Sequence, residues 1–156
     1  MLAGSTWLPA VRLGADEARH RFVESRVARL ATVSADGAPH IVPIVFAVHG
    51  QVLFSAVDAK PKSTHALRRL ANIAAQPQVA VLADHYAEDW AQLWWARADG
   101  LARLASGAEA ERALRMLLAR YRQYRAEPPP GPVLAVDITR WSGWSASPHP
   151  TTDHRS

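Results

Sequence analysis

The stretch of this chain that most suggests chemistry runs from Ser55 to Thr64 and reads SAVDAKPKST. It leaves a strand-like run, bends, and enters a helical pattern. A helix start carries free N–H groups and a partial positive charge, which suit a phosphate. Lys60 and Lys62 bring ammonium groups to that start, and Ser63 and Thr64 bring hydroxyls. Lysine binds phosphate as a point charge. Pro61 between them restricts the backbone and can fix their directions. The two lysines stand out because the chain has 16 arginines and no other lysine. A short basic loop is equally what a solvated turn looks like, so both readings stay open at this point.

A second candidate is aromatic. Trp90, Trp94, Trp95, Trp141 and Trp144 make up five of the six tryptophans. Trp94 and Trp95 are neighbours in a strand-like run, so they point to opposite faces. One can enter the core while the other meets solvent, a partner or a ligand, and a flat ring system would stack on it. Burial of both in a two-sided sheet is the alternative. Other chemistries have less to build on. The absence of cysteine excludes a disulfide scaffold, a thiol nucleophile, an iron–sulfur cluster and a cysteine zinc site. No Gly-x-Ser-x-Gly elbow is present. His85 with Asp84, Glu88 and Asp89 has metal-ligand types, but such a polar run is equally a solvated loop. His40 and His49 flank a strand and read as strand-end polar residues.

The chain has 156 residues, enough for one domain with a true core. Its 49% hydrophobic and 21% charged residues are those of a globular protein. The formal charge of +4 is too small to argue for nucleic acid and suits a polyanionic small molecule. No apolar run approaches the roughly 20 residues of a membrane span. The start shows no basic stretch followed by an apolar one, so a cytoplasmic protein is expected.

The elements that must position these residues follow from periodicity. A helix is predicted over Asp16–Ser25, with Asp16 and Glu17 at its positive end. Strand-like runs Val27–Ser34 and His40–Val48 flank Ala35-Asp36-Gly37-Ala38, a hairpin signal. Pro43 inside the second run points to an edge or a bulge. A third strand, Gln51–Val57, follows the His49-Gly50 turn. After the lysine loop comes a helix over Thr64–Ala75. Strands are expected over Val79–Asp84 and Gln92–Leu104, the second with a bulge at Gly100. Between them, His85–Ala91 reads as a loop or single turn. Ser106 and Glu109 form a capping-box pattern before a helix over Gly107–Arg125. A last strand covers Pro132–Arg140 and leads to Trp141. This order predicts a mainly β, α+β domain: a six-stranded antiparallel barrel with helices outside. Residues 1–144 form the domain, and 145–156 read as a flexible tail.

In this order, RLATVSADGAPHIVPIVFAV, VLFSAV, KPKSTHALRRLANIAAQPQVAVLADHY and LWWARADGLARL resemble the pyridoxamine 5′-phosphate oxidase superfamily. The Lys-Pro-Lys loop and the stretch Asp-His-Tyr-x-Glu-Asp-Trp-x-x-Leu-Trp-Trp are similar to its small deazaflavin-dependent (coenzyme F-420) actinobacterial branch. The resemblance covers about residues 16–141. It implies a split β-barrel and a homodimer, with the cofactor in a groove between subunits. Implied cofactor contacts are His40, Val42 and Pro43 on the second strand, Ser55 and Ala56 on the third, and Lys60, Lys62 and Ser63 after it. Trp95 would come from the partner's long strand and Trp141 from the last strand. Arg69, with Arg68, is an alternative phosphate grip. The oxidase pattern has basic residues on the second strand where this chain has His40, Pro43 and Val45, which weakens FMN bound in the oxidase manner. The set of residues that would hold pyridoxamine phosphate near the C-terminus is not found.

The resemblance implies an oxidoreductase that transfers a hydride between F-420 and a small organic substrate. The protein then supplies position and electrostatics, and no nucleophile is required. FMN is the alternative cofactor. A non-catalytic flavin- or haem-binding protein is the alternative from another class. The implied partners are a second copy of the chain and a small-molecule substrate, with neither nucleic acid nor membrane.

Overall fold

The computed structural model describes residues 10–57 and 64–148, with only the backbone for 64–66. The strands are β1 (Val11–Leu13), β2 (Ala28–Val33), β3 (Pro39–Ile44), β4 (Ala47–His49), β5 (Val52–Ala56), β6 (Gln78–His85), β7 (Trp94–Leu104) and β8 (Val133–Ser145). The helices are α1 (Ala15–Glu24), α2 (Thr64–Ala75), α3 (Gly107–Arg120) and α4 (Arg122–Ala126), with a 3-10 turn at Trp90–Gln92. No helix among the described residues is long and apolar enough to cross a membrane.

All strand pairs are antiparallel, in the order β3-β2-β6-β7-β8-β5-β4, with β1 also on β8. The expectation of six strands is therefore corrected to eight. Two physical reasons account for the difference. β1 is too short to show an alternation. The expected strand His40–Val48 breaks at Val45–Phe46, where the chain crosses from β3 at one edge of the sheet to β4 at the other. No ladder joins those two edges, so the sheet is not closed. Side chains draw the seam together instead. Ser55 Oγ donates to the Val45 carbonyl at 2.8 Å. The Tyr121 hydroxyl accepts from the Phe46 amide at 3.1 Å, and its proton has the carbonyls of Phe46 and Arg26 within reach at 2.8 and 3.0 Å. Pro43, lacking a donor, sits on edge strand β3, where a missing N–H is tolerated.

Tyr121 also corrects the expected single helix over Gly107–Arg125. At φ −116° and ψ 113° it separates α3 from α4. The break lets Tyr121 and Tyr124 enter one pocket, with ring centres 6.0 Å apart. The expected capping box is not formed, because Ser106 makes no side-chain cap bond. The chain enters α3 through Gly107 at φ +56°, and Arg103 takes the Glu109 carboxylate with bonds of 2.6 and 3.0 Å.

The irregularity expected at Gly100 is present, but the extra residue lies on the neighbouring strand. Asp99 faces Arg140 and Gly100 faces Ile138, so Thr139 is the unpaired residue. A Cβ on Gly100 would lie 2.4 Å from the Asp137 carbonyl oxygen, so the close approach needs glycine. The bulge reverses the parity of β8. Before it, Leu134 and Val136 enter the main core; after it, Trp141 does. One row crosses five strands on this inner face: Val42, Leu30, Val81, Ala98 and Trp141.

Helix α1 fills the concave side. Ala18 and Phe22 are fully buried. The Phe22 ring packs on Phe46 at 4.9 Å and edge-on against Trp141 at 5.2 Å. Small residues on the sheet, Ala96, Ala98 and Gly143, let the helix come close. Burial of each large apolar side chain here is worth roughly 1.5–3 kcal/mol.

Candidate functional site

The residues expected to contact a cofactor fall into three places. On β3, His40 and Val42 turn to the inner face, opposite Thr32 and Leu30. Val42 packs against the main core. Pro43 belongs to the outer row Pro43, Arg29, Leu82, Arg97, Ser142. Among the described residues β3 pairs with β2 alone, so its other edge makes no ladder bonds with them. At the end of β5, Ser55 is buried with its hydroxyl held by Val45. Ala56 turns away from that side and packs with Ala47, Leu117, Tyr121 and Tyr124. The loop that follows, with Lys60, Lys62 and Ser63, lies outside the described residues.

Arg69 sits in the middle of α2 and is half-buried. Burial pushes its guanidinium below the ordinary arginine value, and Tyr124 opposes that shift. Its Nε is buried without a hydrogen-bond partner among the described residues. Trp141 belongs to the core, and its indole N–H donates to Gln51 Oε1 at 2.8 Å.

Trp95 is elsewhere. It faces outward on β7, and β2 and β6 separate β7 from β3. At about 4.8 Å per strand, that places Trp95 about 14 Å along the sheet from β3. Within one subunit the structure does not bring Trp95 together with His40 or Val42.

Trp95 instead forms the shared wall of two grooves. The first has a volume of about 300 Å³ and is lined by Arg12, Trp95, Arg97, Arg140, Ser142 and Trp144, among others. Trp95 and Trp144 face each other across β7 and β8, with Arg12 opposite Trp144 on β1. Arg97 pairs with Asp99 at 3.2 Å and lies 5.7 Å from the centre of the Trp95 ring. Arg12 and Arg140 have neither hydrogen-bond nor ion-pair partner among the described residues. The Ser142 hydroxyl is buried and also lacks a partner among them. The second groove, about 260 Å³, is lined by Leu82, Asp84, Tyr86, Leu93, Trp94 and Trp95 among others.

Sequence reasoning counted Trp144 among the aromatic candidates and missed Arg12, Arg97, Arg140 and Ser142. Part of the signal was there: Trp141 and Trp144, three apart in a strand, must take opposite faces. Which of them turns outward depends on the bulge at Thr139, which leaves no mark in the hydrophobic pattern. The metal alternative gains no support, since Asp84 is paired with Arg29 at 3.3 Å. Among the described residues, no group of three or more acidic or histidine side chains converges as ligands.

The fold is shared with solved structures. An FAD-binding protein from Mesorhizobium loti superposes with a TM-score of 0.71 at 20% identity, over 90% of this chain and 100% of that one. The FAD binding protein from Mycobacterium smegmatis gives 0.59 at 24% identity, over 86% and 98%. A heme binding protein from the same organism gives 0.69 at 19% identity, over 88% of this chain and 56% of that one. Among curated proteins none matches the sequence. The family model described as pyridoxamine 5′-phosphate oxidase matches residues 15–145, from the first turn of α1 to the last residue of β8. By that match, this chain belongs to the pyridoxamine 5′-phosphate oxidase family.

Proposed function

We propose that the protein is a coenzyme F-420-dependent oxidoreductase that acts on a small organic substrate as a homodimer. The observation that carries this reading is the division of the expected contacts. His40, Val42, Ser55 and Arg69 lie on β3, β5 and α2, whereas Trp95 faces outward on β7. A planar cofactor that needs both groups is served when a second copy supplies Trp95 across the subunit boundary.

The residues fit such a group. The unladdered edge of β3 offers backbone donors and acceptors to a heterocycle rim. The Nε of Arg69, mid-way along α2 and unpartnered among the described residues, suits an anion beside that helix. His40, Pro43 and Val45, where the oxidase pattern has basic residues, leave this side suited to a ring more than to a phosphate. Lys60, Lys62 and Ser63 then take the phosphodiester, and Arg68 or Arg69 the acidic tail. When bound, the deazaflavin supplies hydride chemistry. The chain's own part is to hold the ring at β3, to fix its charged arm, and to shield one face with Trp95. No side chain is required as a nucleophile.

A second reading has its own support. Two of the structures sharing this fold are named as FAD-binding and one as heme binding. FMN in the same groove, or a carrier of a flavin or haem without turnover, would fit those names. The deciding experiment is titration of the purified chain with F-420 and FMN side by side. Tighter binding of F-420 is expected, with at least tenfold weakening in the double variant Lys60→Ala, Lys62→Ala. Tighter FMN binding favours the second reading. Binding unchanged in the double variant removes the lysines from the site. Sedimentation should give a dimer, and a monomer would break the shared-site argument.

A further inference from the structure

We infer that the groove between Trp95 and Trp144 binds a planar, conjugated molecule carrying a carboxylate. Charge is the first argument. Arg12, Arg97 and Arg140 line the groove. Among the described residues no carboxylate is in that lining. Of the two next to it, Asp99 is engaged by Arg97 at 3.2 Å and Asp84 by Arg29 at 3.3 Å, so the groove holds uncompensated positive charge. Asp99 stands directly opposite Arg140 in the ladder, yet it bonds Arg97 on its own strand. Arg140 and Arg12 are left without partners among the described residues. Like charges gathered on one sheet face oppose folding, so this arrangement does nothing for stability. It suits an anion, and a guanidinium fork matches a carboxylate with two parallel bonds.

Shape is the second argument. Trp95 and Trp144 are cross-strand partners with only partly buried side chains. Two indoles side by side give a flat apolar wall for stacking. The volume of about 300 Å³ admits a two-ring system with a carboxylate and leaves a macromolecular ligand outside.

The orphaned hydroxyl of Ser142 is the third. A buried hydroxyl without a partner costs free energy unless a ligand or water satisfies it. It sits opposite Arg97 in the ladder, between the aromatic pair and Arg140, where it can bond a ligand oxygen.

That the bound anion is the substrate rests on the oxidoreductase reading above; the groove's affinity for the anion does not. Trp95 links the two, because it walls this groove and is the residue proposed to cover the cofactor. The inference narrows the substrate to planar conjugated carboxylates.

The test is calorimetric titration of the full chain with 2-naphthoate, neutral 2-naphthalenemethanol and non-planar cyclohexanecarboxylate. Saturable binding is expected for naphthoate, with the other two at least tenfold weaker. Arg12 and Arg140 are exposed, so the double variant Arg12→Gln, Arg140→Gln should fold and lose at least tenfold in naphthoate affinity. Ser142→Ala should lose a few-fold. No saturable binding overturns the inference, as does equal binding of the alcohol or unchanged affinity in the double variant. A wild-type dimer that dissociates in the double variant while never binding naphthoate also overturns it, by assigning the groove to the second copy. Each sample is titrated with F-420 in parallel. In the wild type, no naphthoate binding with F-420 binding intact fails this inference alone, and the converse fails the cofactor reading alone.

Discussion

The two faces of β7 and β8 are built on opposite rules. The inner face carries Ala96, Ala98, Ala102, Gly143 and the capped Trp141, and every polar atom named there has a partner. Small side chains are what let α1 press Ala18 and Phe22 into the concave sheet; a Cβ on Gly143 would come within 2.8 Å of the Trp95 carbonyl oxygen. The outer face, one residue away on the same strands, carries Trp95, Trp144, Arg97 and Arg140. There the side chains are large and two of the cations are unpaired. Folding explains the first face and leaves the exposed Arg140 and the Trp95–Trp144 pair of the second without a reason. The difference teaches that in one ladder, stability and binding can be assigned to alternate residues. Each can then be changed without the other.

That separation can be broken directly. Phe22→Ala should cost about 3–5 kcal/mol, since a fully buried aromatic leaves a cavity under α1. Trp144→Ala on the outer face should cost under about 1 kcal/mol, the worth of a partly exposed cross-strand pair. Urea unfolding of the pair measures both, and comparable losses would end the distinction between the faces. A middle effect is expected at the seam. Tyr121→Phe leaves the Phe46 amide and two carbonyls short of a partner, at about 1–3 kcal/mol. A change in urea midpoint below that of Trp144→Ala would show that the seam does not need its hydroxyl.

The smallest effect belongs to Arg103, which bonds Glu109 and Asp137 on the outer side of β7. Arg103 holds both carboxyls below their ordinary values of 4.5 and 3.8. A depressed carboxyl adds stability above its unfolded value and loses it as pH falls through the folded one. Arg103→Gln should therefore lower the melting temperature slightly at pH 7, and the gap should close as pH drops below about 4. A gap that persists at pH 2 would point to lost packing by the arginine stem.

Much of the scaffold was legible in the residues. The Ala35–Ala38 turn joins β2 to β3, with Gly37 at φ +88° as a tight hairpin requires. α2 runs over Thr64–Ala75, as its periodicity indicates. The alternation of β7 correctly sorts Ala96 and Ala98 from Arg97 and Asp99. What stayed hidden depends on contacts distant in sequence. The break at Tyr121 is set by Phe46 and Arg26, and the capture of Glu109 by Arg103 on a neighbouring element. The candidate groove was unreadable for a related reason. Its occupants come from β1, β7 and β8, and a single extra residue, Thr139, decides which way β8 turns them.

The place of β8 in the sheet has a consequence for how the chain is made. It lies between β7 and β5, and among the described residues no other strand ladder joins the β3-β2-β6-β7 half to the β5-β4 half. On a ribosome, residues 133–145 emerge after every other strand. Until then the nascent protein is two half-sheets, each with a bare flank of backbone donors and acceptors. Such flanks invite pairing with other chains. The final strand is thus a keystone inserted late, and slow delivery of it would favour aggregation over any native-like intermediate.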